Sequence, residues 1–261
     1  MNFSWSAHNK IYWKCIHVMC LCFGTDTLRD DDTILAMKGF LVLFALLLPN
    51  KVWGEWMLDF IQMKPSVKEE LTHIQSLKLF LSSHNPQEVL YYIDCRKKPS
   101  VSLSEWSWML HEYVNYKRTK NGEKIKGLTL SQFKEDYAVS KISKDQWGRP
   151  MWFAIHTFAL RMPAELSNEN KLQYKAFMSS MQYVLPCPIC KNHIKENLVK
   201  LDMTPYLGTN IKLFEWTVKL HNTVNSDNNK SVMSLNDALQ LYNTKDTSTG
   251  SENGLLERLF L

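Results

Sequence analysis

The sequence predicts an all-α protein. Apolar residues recur at helical spacing along most of the 261-residue chain, and no stretch shows a competing strand pattern. Gly and Pro, with nine of each, are too few for a fold built from many tight turns. The net charge of +5 is mild and no run of Lys and Arg is dense enough to form a nucleic-acid surface, so nucleic acid is not an expected partner.

Residues 1–54 are interpreted as an N-terminal extension. The part before Met37 shows no helical period and contains three cysteines, Cys15, Cys20 and Cys22. From Met37, a basic residue, the short apolar run 40–48 and a small residue follow in the order of a signal peptide. The run is too short to span a bilayer, which takes about 20 residues, and a buried helix is the alternative. A signal would direct the protein to the secretory pathway or a membrane. Without one, the compartment stays open.

Residues 55–140 are predicted to form a helical region ahead of the main domain. Leu71, Ile74 and Leu77 recur at helical spacing, and the pattern continues over residues 106–114.

Residues 145–242 carry the main predicted domain, a bundle of four to five helices. A C-terminal tail over 243–261 follows it, polar over 243–253 and apolar after that. The predicted helices cover residues 146–162 with Asp145 as N-cap, 168–183, 187–201, 210–225, and a short fifth helix that opens with a Ser234–Asp237 capping box and reaches Tyr242. Their inward positions are predicted to be Trp152, His156, Ala159, Leu160, Leu172, Phe177 (with Ala176 as the alternative), Met181, Val184, Leu213, Trp216, Leu220 and Val224.

A Cys-x2-Cys-x2-His motif opens the third helix, at Cys187, Cys190 and His193. Pro188 suits the first turn of a helix, so Cys187 is expected at the helix N-terminus, where exposed N–H groups and the helix dipole favour a thiolate. This spacing is typical of a redox dithiol. It would equally supply three ligands of a zinc site, and the motif alone does not choose between them.

The fourth helix carries a polar strip of His221, Asn222 and Asn225, followed by Lys230. Three such groups together are hard to satisfy without a ligand. A flat ligand with amide-like edges and a phosphate would use aromatic rings for stacking, Asn and His for hydrogen bonds and a cation for charge. Trp152, His156, Trp216 and Arg149 complete that set, and beside a dithiol the natural candidate is a flavin.

Together these motifs resemble the Erv/ALR family of FAD-linked sulfhydryl oxidases. The amino-acid sequence around Trp147–Trp152 and Tyr183–Cys187 is most similar to members from large DNA viruses. The resemblance covers roughly residues 146–242 and implies an Erv-type bundle with FAD at the mouth of the Cys-x2-Cys helix. It implies cofactor contacts from Gly148, Arg149, Trp152, His156, His193, Trp216, His221, Asn222, Val224, Asn225 and Lys230, and no metal.

The mechanism that the resemblance implies begins with attack of a substrate thiolate on Cys187, the outer sulfur. Cys190 then passes electrons to the flavin, and O2 accepts them to give H2O2. The implied partners are thiol-containing protein substrates, with a thioredoxin-like carrier as one candidate. A non-catalytic binding module with this fold and a small zinc-binding interaction protein are the alternatives.

The sequence departs from the family pattern at several positions. The closing aromatic residue that usually follows the lysine is at best Tyr242. Met181 stands where a tyrosine is common, six residues before the first cysteine. No cysteine follows Cys190, so the family's additional disulfide from the start to the end of the bundle cannot form. A separate shuttle pair could come only from Cys15, Cys20 and Cys22, for which incidental thiols are the alternative.

The first half also echoes the second. Trp53-Gly54 resembles Trp147-Gly148, and residues 110–115 resemble 220–225 with His111 at the position of His221. Cys95 falls where the cysteine pair would be, and no first-helix histidine is evident. A degraded copy would bind no flavin and would replace the partner of a homodimer as an internal pseudo-dimer. Chance similarity between helical stretches is the alternative.

Overall fold

The computed structural model describes residues 5–23, 31–77, 102–137 and 142–243. These ranges are helical and contain no strand; one isolated bridge joins Glu165 and Thr209. The prediction of an all-α fold is confirmed. The α-helices are α1 (Trp5–Phe23), α2 (Asp31–Leu47), α3 (Lys51–Ile61), α4 (Pro65–Leu71), α5 (Leu103–Lys120), α6 (Leu130–Tyr137), α7 (Lys144–Arg161), α8 (Asn168–Val184), α9 (Pro188–Lys200), α10 (Asn210–Asp227) and α11 (Leu235–Asn243), with a 3-10 turn at Thr204–Tyr206.

The chain divides into two compact units. Unit 1 contains Met1–Cys15 and Ser143–Leu261, and unit 2 contains Ile16–Ile142. The boundary therefore falls inside α1, which contributes its first part to unit 1 and its second part to unit 2.

The apolar run 40–48 lies in and just after α2, where Phe40, Leu41 and Phe44 are fully buried. The next helix, α3, packs closely on it, because a Cβ at Gly54 would overlap the carbonyl oxygen of Ala45. Among the described residues, no helix combines the length and the apolar character needed to cross a membrane.

The helices of unit 1 begin and end close to the predicted residues, with one wrong cap. Ser143, not Asp145, is the N-cap of α7, and it forms a capping box with Gln146, whose side-chain Oε1 accepts from the Ser143 N–H at 2.8 Å. Cys187 caps α9 and Ser234 caps α11 through its bond to the Asp237 N–H, both as predicted.

One predicted core position in α8 is wrong. Tyr174, Phe177 and Met181 are buried at helical spacing, whereas Leu172 is 69% exposed. Leu172 lies two residues before Tyr174, which places it about 200° around the helix and thus on the opposite face.

The core of unit 1 is built mainly between α7 and α10. In α10, Leu213, Trp216 and Leu220 are fully buried as predicted, while Val224, one turn further on, is only half-buried. This packing sets one face of α7 against one face of α10. Polar side chains on those two faces meet to form the candidate functional site.

Candidate functional site

A disulfide joins Cys187 and Cys190, the two cysteines of the predicted redox motif, with their Cα atoms 5.1 Å apart. Cys187 has extended backbone angles and is the N-cap of α9, and its Sγ accepts a hydrogen bond from the Cys190 N–H at 3.2 Å. Both residues are half-buried. A helix N-terminus stabilises negative charge, so the Cys187 sulfur lies where a thiolate is favoured once the disulfide is reduced.

Three side chains on α7 and α10 form a hydrogen-bonded chain, here called the unit 1 relay: Thr217, His156 and His221. His156 is 2% exposed; its Nδ1 lies 2.7 Å from the Thr217 Oγ1, and its Nε2 lies 2.9 Å from the His221 Nδ1. The partners are 61 and 65 residues apart in sequence. The relay therefore exists only because α7 and α10 pack together.

The geometry of the relay determines which nitrogen of each histidine carries the proton. The Thr217 hydroxyl donates to the Phe214 carbonyl at 2.6 Å, so its oxygen accepts from the His156 Nδ1–H. A neutral histidine has one N–H, so the His156 Nε2 carries a lone pair and accepts from the His221 Nδ1–H. The lone pair of His221 is consequently on its Nε2.

Burial keeps both histidines neutral. It lowers the pKa of His156 well below its usual range, and the neighbouring His221 lowers it further. Burial lowers the pKa of His221 to about 4, with a smaller contribution from the positive charge of Lys230. Two adjacent imidazoles in a poorly solvated site would repel each other if both were protonated.

An aromatic surface adjoins the relay. The Trp152 ring stacks on His221 with centroids 4.0 Å apart and an angle of 7° between the planes. Tyr242 of α11 packs against the other histidine, with its ring centroid 5.0 Å from that of His156. The site thus presents flat rings on either side of the histidine pair.

A cavity of about 240 Å³ opens beside the relay. Four of the predicted cofactor residues line it: His156, His221, Asn222 and Asn225. The remaining lining residues are Val218, Ser231, Val232, Met233, Asp237, Ala238 and Tyr242.

Asn222 and Asn225 hold the segment 231–233, which forms part of the cavity wall. The Asn222 amide makes two bonds to the Met233 backbone, donating to its carbonyl at 2.8 Å and accepting from its N–H at 3.0 Å. The Asn225 side chain donates to the Ser231 carbonyl at 3.0 Å. Both amides therefore shape the cavity through the backbone that follows α10.

The buried hydroxyl of Tyr242 tests whether this cavity suits a ligand. Tyr242 is 6% exposed and lines the cavity, and its hydroxyl has no hydrogen-bond partner among the described residues. Burial raises the pKa of Tyr242, so the group stays protonated and can donate. An unsatisfied donor in a cavity wall beside aromatic rings fits a flat heterocycle with acceptor atoms, as a flavin nucleotide has. At about 240 Å³ the cavity holds part of such a molecule, and the rest would lie along its rim.

The other predicted site residues do not line the cavity. Trp216 is fully buried and its indole N–H donates to the Leu201 carbonyl at 3.0 Å, so it serves the core. The Arg149 Nε lies 4.0 Å from the Asp145 Oδ1. At Gly148, an added Cβ atom would meet no other atom within 4 Å. The remaining residues outside the lining are Trp152, Cys187, Cys190, His193, Val224 and Lys230.

Thr217 and Met233 are site residues that the sequence reasoning missed. Thr217 reads as an ordinary core position in α10, although its place four residues before His221 is a usable signal, because i and i+4 lie on one helix face. Met233 contributes backbone atoms, which no side-chain pattern reveals.

The three N-terminal cysteines lie on α1. Cys15 and Cys20 are buried and Cys22 is half-buried. Burial raises the pKa of the Cys20 thiol, and the neighbouring Ser107 hydroxyl opposes this effect in part. Cys20 and Cys22 are two residues apart on a helix and so point to different sides, a geometry unsuited to an internal disulfide. Cys95 lies outside the described residues.

In the described part of the chain, no three His, Cys, Asp or Glu side chains converge as a metal-ligand set. In the disulfide form, the sulfurs of Cys187 and Cys190 are bonded to each other and cannot act as zinc thiolates.

Comparisons with known proteins match the part of the chain that contains this site. The Erv1 / Alr family model matches residues 149–244, which lie within unit 1. A probable FAD-linked sulfhydryl oxidase of Acanthamoeba polyphaga mimivirus is 34% identical over 100 residues, which cover 38% of this chain and 70% of that protein.

Two further relatives show the range of the similarity. An FAD-linked sulfhydryl oxidase of African swine fever virus is 29% identical over 98 residues, covering 37% of this chain and 79% of the viral protein. An FAD-linked sulfhydryl oxidase of Arabidopsis thaliana is 29% identical over 98 residues, and the match spans half the length of that protein. No solved structure matches the chain significantly.

Proposed function

Because this chain belongs to the Erv1 / Alr family, we propose that it is an FAD-dependent sulfhydryl oxidase that forms disulfides in protein thiols, uses O2 as electron acceptor and releases H2O2. One observation carries the proposal. The Cys187–Cys190 disulfide caps a helix in the same unit as the unit 1 relay and its cavity.

The position of Cys187 supports its role as the sulfur that exchanges with substrate. A substrate thiolate attacks Cys187, the Cys187–Cys190 bond breaks, and Cys190 leaves as a thiolate. A second substrate thiol then attacks the substrate sulfur of the mixed disulfide, and Cys187 leaves. The Cys190 N–H and the N-terminus of α9 stabilise the departing Cys187 thiolate, and a thiol of lower pKa leaves faster.

The exchange leaves one substrate disulfide and a reduced cysteine pair. Two electrons and two protons must then leave that pair for the enzyme to turn over. FAD, when bound, would supply a two-electron acceptor, and O2 is the terminal oxidant that accounts for H2O2.

We propose that the unit 1 relay, Trp152 and the Tyr242 hydroxyl hold the ring systems of this cofactor. Trp152 and His221 offer a stacked aromatic surface, and the relay places the lone pair of His221 on its Nε2, which makes that atom an acceptor for an N–H of the cofactor. Lys230 lies close enough to lower the pKa of His221 and would neutralise phosphate at the rim. We propose that His193, Arg149 and Val224 make further cofactor contacts, as the family resemblance implies.

The experiment is a visible absorbance spectrum of the purified full-length protein. We expect a flavin spectrum that dithiothreitol bleaches without air and that air restores, with H2O2 formed in step with thiol consumed. Cys187→Ser and Cys190→Ser should keep the flavin but abolish thiol-dependent peroxide formation. The control variant Cys22→Ser, in α1, should retain thiol-dependent peroxide formation.

Colourless folded protein would refute the oxidase and favour a binding module, and a zinc assay would then separate that outcome from a metal site. Peroxide formation retained in Cys187→Ser would refute the assigned exchange. A reduced thioredoxin-like protein that turns over faster than dithiothreitol would identify a carrier of that class as the substrate.

A further inference from the structure

Unit 2 contains a hydrogen-bonded chain with the same chemistry as the unit 1 relay. The His17 Nδ1 lies 2.9 Å from the Ser107 Oγ, and its Nε2 lies 3.0 Å from the His111 Nδ1. The Ser107 hydroxyl donates to the Ser104 carbonyl at 2.7 Å, so the proton positions are the same as in unit 1. We call Ser107, His17 and His111 the unit 2 relay.

The two relays also sit at matching places in their helices. In each, the hydroxyl residue lies four residues before the second histidine on a long helix, α5 or α10. In each, a histidine from an earlier helix completes the chain, and it follows a tryptophan by four residues: Trp13 precedes His17 as Trp152 precedes His156.

The segments after the second histidine of each relay match as well. In unit 2 a loop leads to the short helix α6, and the ring of Tyr137 packs on His17 with centroids 4.9 Å apart. In unit 1 the segment 228–234 leads to α11, where Tyr242 packs on the first histidine of the relay. A hydroxyl, two histidines and a closing tyrosine in one order and one geometry are too specific to arise from unrelated helix packing.

This assignment corrects the comparison made from sequence, in which no first-helix histidine was evident and Trp53-Gly54 was aligned with the start of the oxidase domain. The missing histidine is His17, on α1, some 36 residues earlier in the chain than Trp53.

In unit 2, the position that corresponds to the cavity of unit 1 is occupied by a side chain of the protein itself. Glu112 stands where unit 1 has Asn222, and it is 3% exposed. Its carboxylate accepts from the Ser76 hydroxyl at 2.7 Å, the Asn115 side chain at 3.1 Å and the Leu128 N–H at 3.0 Å. A Cβ at Gly127 would overlap this carboxylate.

These internal contacts leave few groups beside the unit 2 relay to which a ligand could bind. Within the described residues, the Glu112 carboxylate accepts from three donors of its own chain, and Phe133 of α6 packs edge-on against His17 with centroids 4.9 Å apart. Of the described cysteines in unit 2, Cys20 is fully buried and Cys22 is two residues from it on the same helix, so they do not form a redox pair.

We propose that unit 2 is a second, diverged copy of the unit 1 module, in which the relay serves packing alone and the flavin site is closed. Each chain then carries one flavin and one redox disulfide. The flavin part of this inference rests on the proposed function.

The test measures the flavin-to-protein ratio and compares two matched substitutions in the full-length protein. Thr217→Val and Ser107→Ala each remove one relay hydroxyl and leave a buried His N–H without its acceptor. We expect one flavin per chain. Thr217→Val should weaken FAD binding about tenfold, which corresponds to about 1.4 kcal/mol. Ser107→Ala should change FAD affinity less than about twofold and lower the melting temperature, and Ser107→Thr should restore it.

Two flavins per chain, or equal loss of FAD affinity in both variants, would overturn the inference. An unchanged melting temperature in Ser107→Ala would also overturn it, because the unit 2 relay would then not contribute to packing. Protein without any flavin would instead refute the proposed function, while the Ser107 comparison would still decide whether the unit 2 relay is a packing device. If Ser107→Ala does not fold, recovery by Ser107→Thr supports the inference and failure of both overturns it.

Discussion

Acidification should destabilise this protein steeply, because both relays depend on neutral histidines. Burial lowers the pKa of His17 and of His156 well below the usual value of about 6.5, that of His111 to about 3 and that of His221 to about 4. Each folded-state pKa is lowered, so between it and about pH 6.5 the unfolded chain binds more protons than the folded one. The contribution of the four neutral histidines to the free energy of unfolding is therefore fully present above about pH 6.5, and it is lost as the pH falls.

The magnitude follows from one proton per histidine. Each histidine changes the free energy of unfolding by up to about 1.4 kcal/mol per pH unit, so the four together change it by at most about 5 to 6 kcal/mol per pH unit. That is comparable with the whole stability of many domains, about 5 to 15 kcal/mol. The window runs from about pH 6.5 down to about pH 4 for His221 and to about pH 3 for His111.

The assay is urea unfolding followed by the helical circular dichroism signal, in half-unit steps from pH 8 to pH 5 with FAD in constant excess. We expect a flat midpoint above pH 7 and a steep fall below about pH 6.5. His111→Asn, which removes one titrating ring and keeps an N–H near the Nδ1 position, should reduce the slope by about 1.4 kcal/mol per pH unit. A midpoint that does not change between pH 7 and pH 5 in the unaltered protein would refute the reasoning.

Three further substitutions test individual contacts. Tyr242→Phe removes only the unsatisfied cavity hydroxyl, so we expect FAD affinity, measured by flavin fluorescence, to fall about threefold to tenfold while the melting temperature holds or rises; unchanged affinity would show that the hydroxyl does not meet the cofactor. Asn222→Ala releases the backbone of the cavity wall and should cost about 1 to 3 kcal/mol of stability and loosen FAD, and full FAD affinity in this variant would count against its positioning role. Gly54→Ala forces a methyl group against the Ala45 carbonyl and should lower the free energy of unfolding by about 1 to 3 kcal/mol, whereas Gly39→Ala, with open space around it, should be neutral or slightly stabilising. Equal melting temperatures for the two alanine variants would contradict the close packing of α2 and α3.

Much of unit 1 was predictable because its signals are local. Helix caps, prolines and the spacing of apolar residues act within a few positions, which is why α8, α9 and α10 begin and end close to the predicted residues. The cysteine pair at a helix N-terminus is equally local, since Pro188 and Cys187 define that end between them.

The helix α1 shows why the first half was harder to interpret. Residues 11–20 are buried almost all round, with Ile11, Tyr12, Ile16 and Met19 each at most 4% exposed. A helix buried on every side has no polar face and hence no visible period, so the sequence alone led to the interpretation of an N-terminal extension with no assigned helix before Met37. The histidine that completes the unit 2 relay lies in that stretch.

The sequence by itself therefore determined the helical class, most helix ends in unit 1, the position of the cysteine pair at a helix N-terminus and the family. The tertiary structure alone decided which side chains meet. The unit 1 relay joins residues more than 60 positions apart, and the unit 2 relay joins residues 90 and 94 apart. Such contacts depend on which helix faces pack together, and local spacing carries no information about that choice. For the same reason, only the packed structure shows the cavity beside the unit 1 relay and the internal hydrogen bonds of Glu112 beside the unit 2 relay.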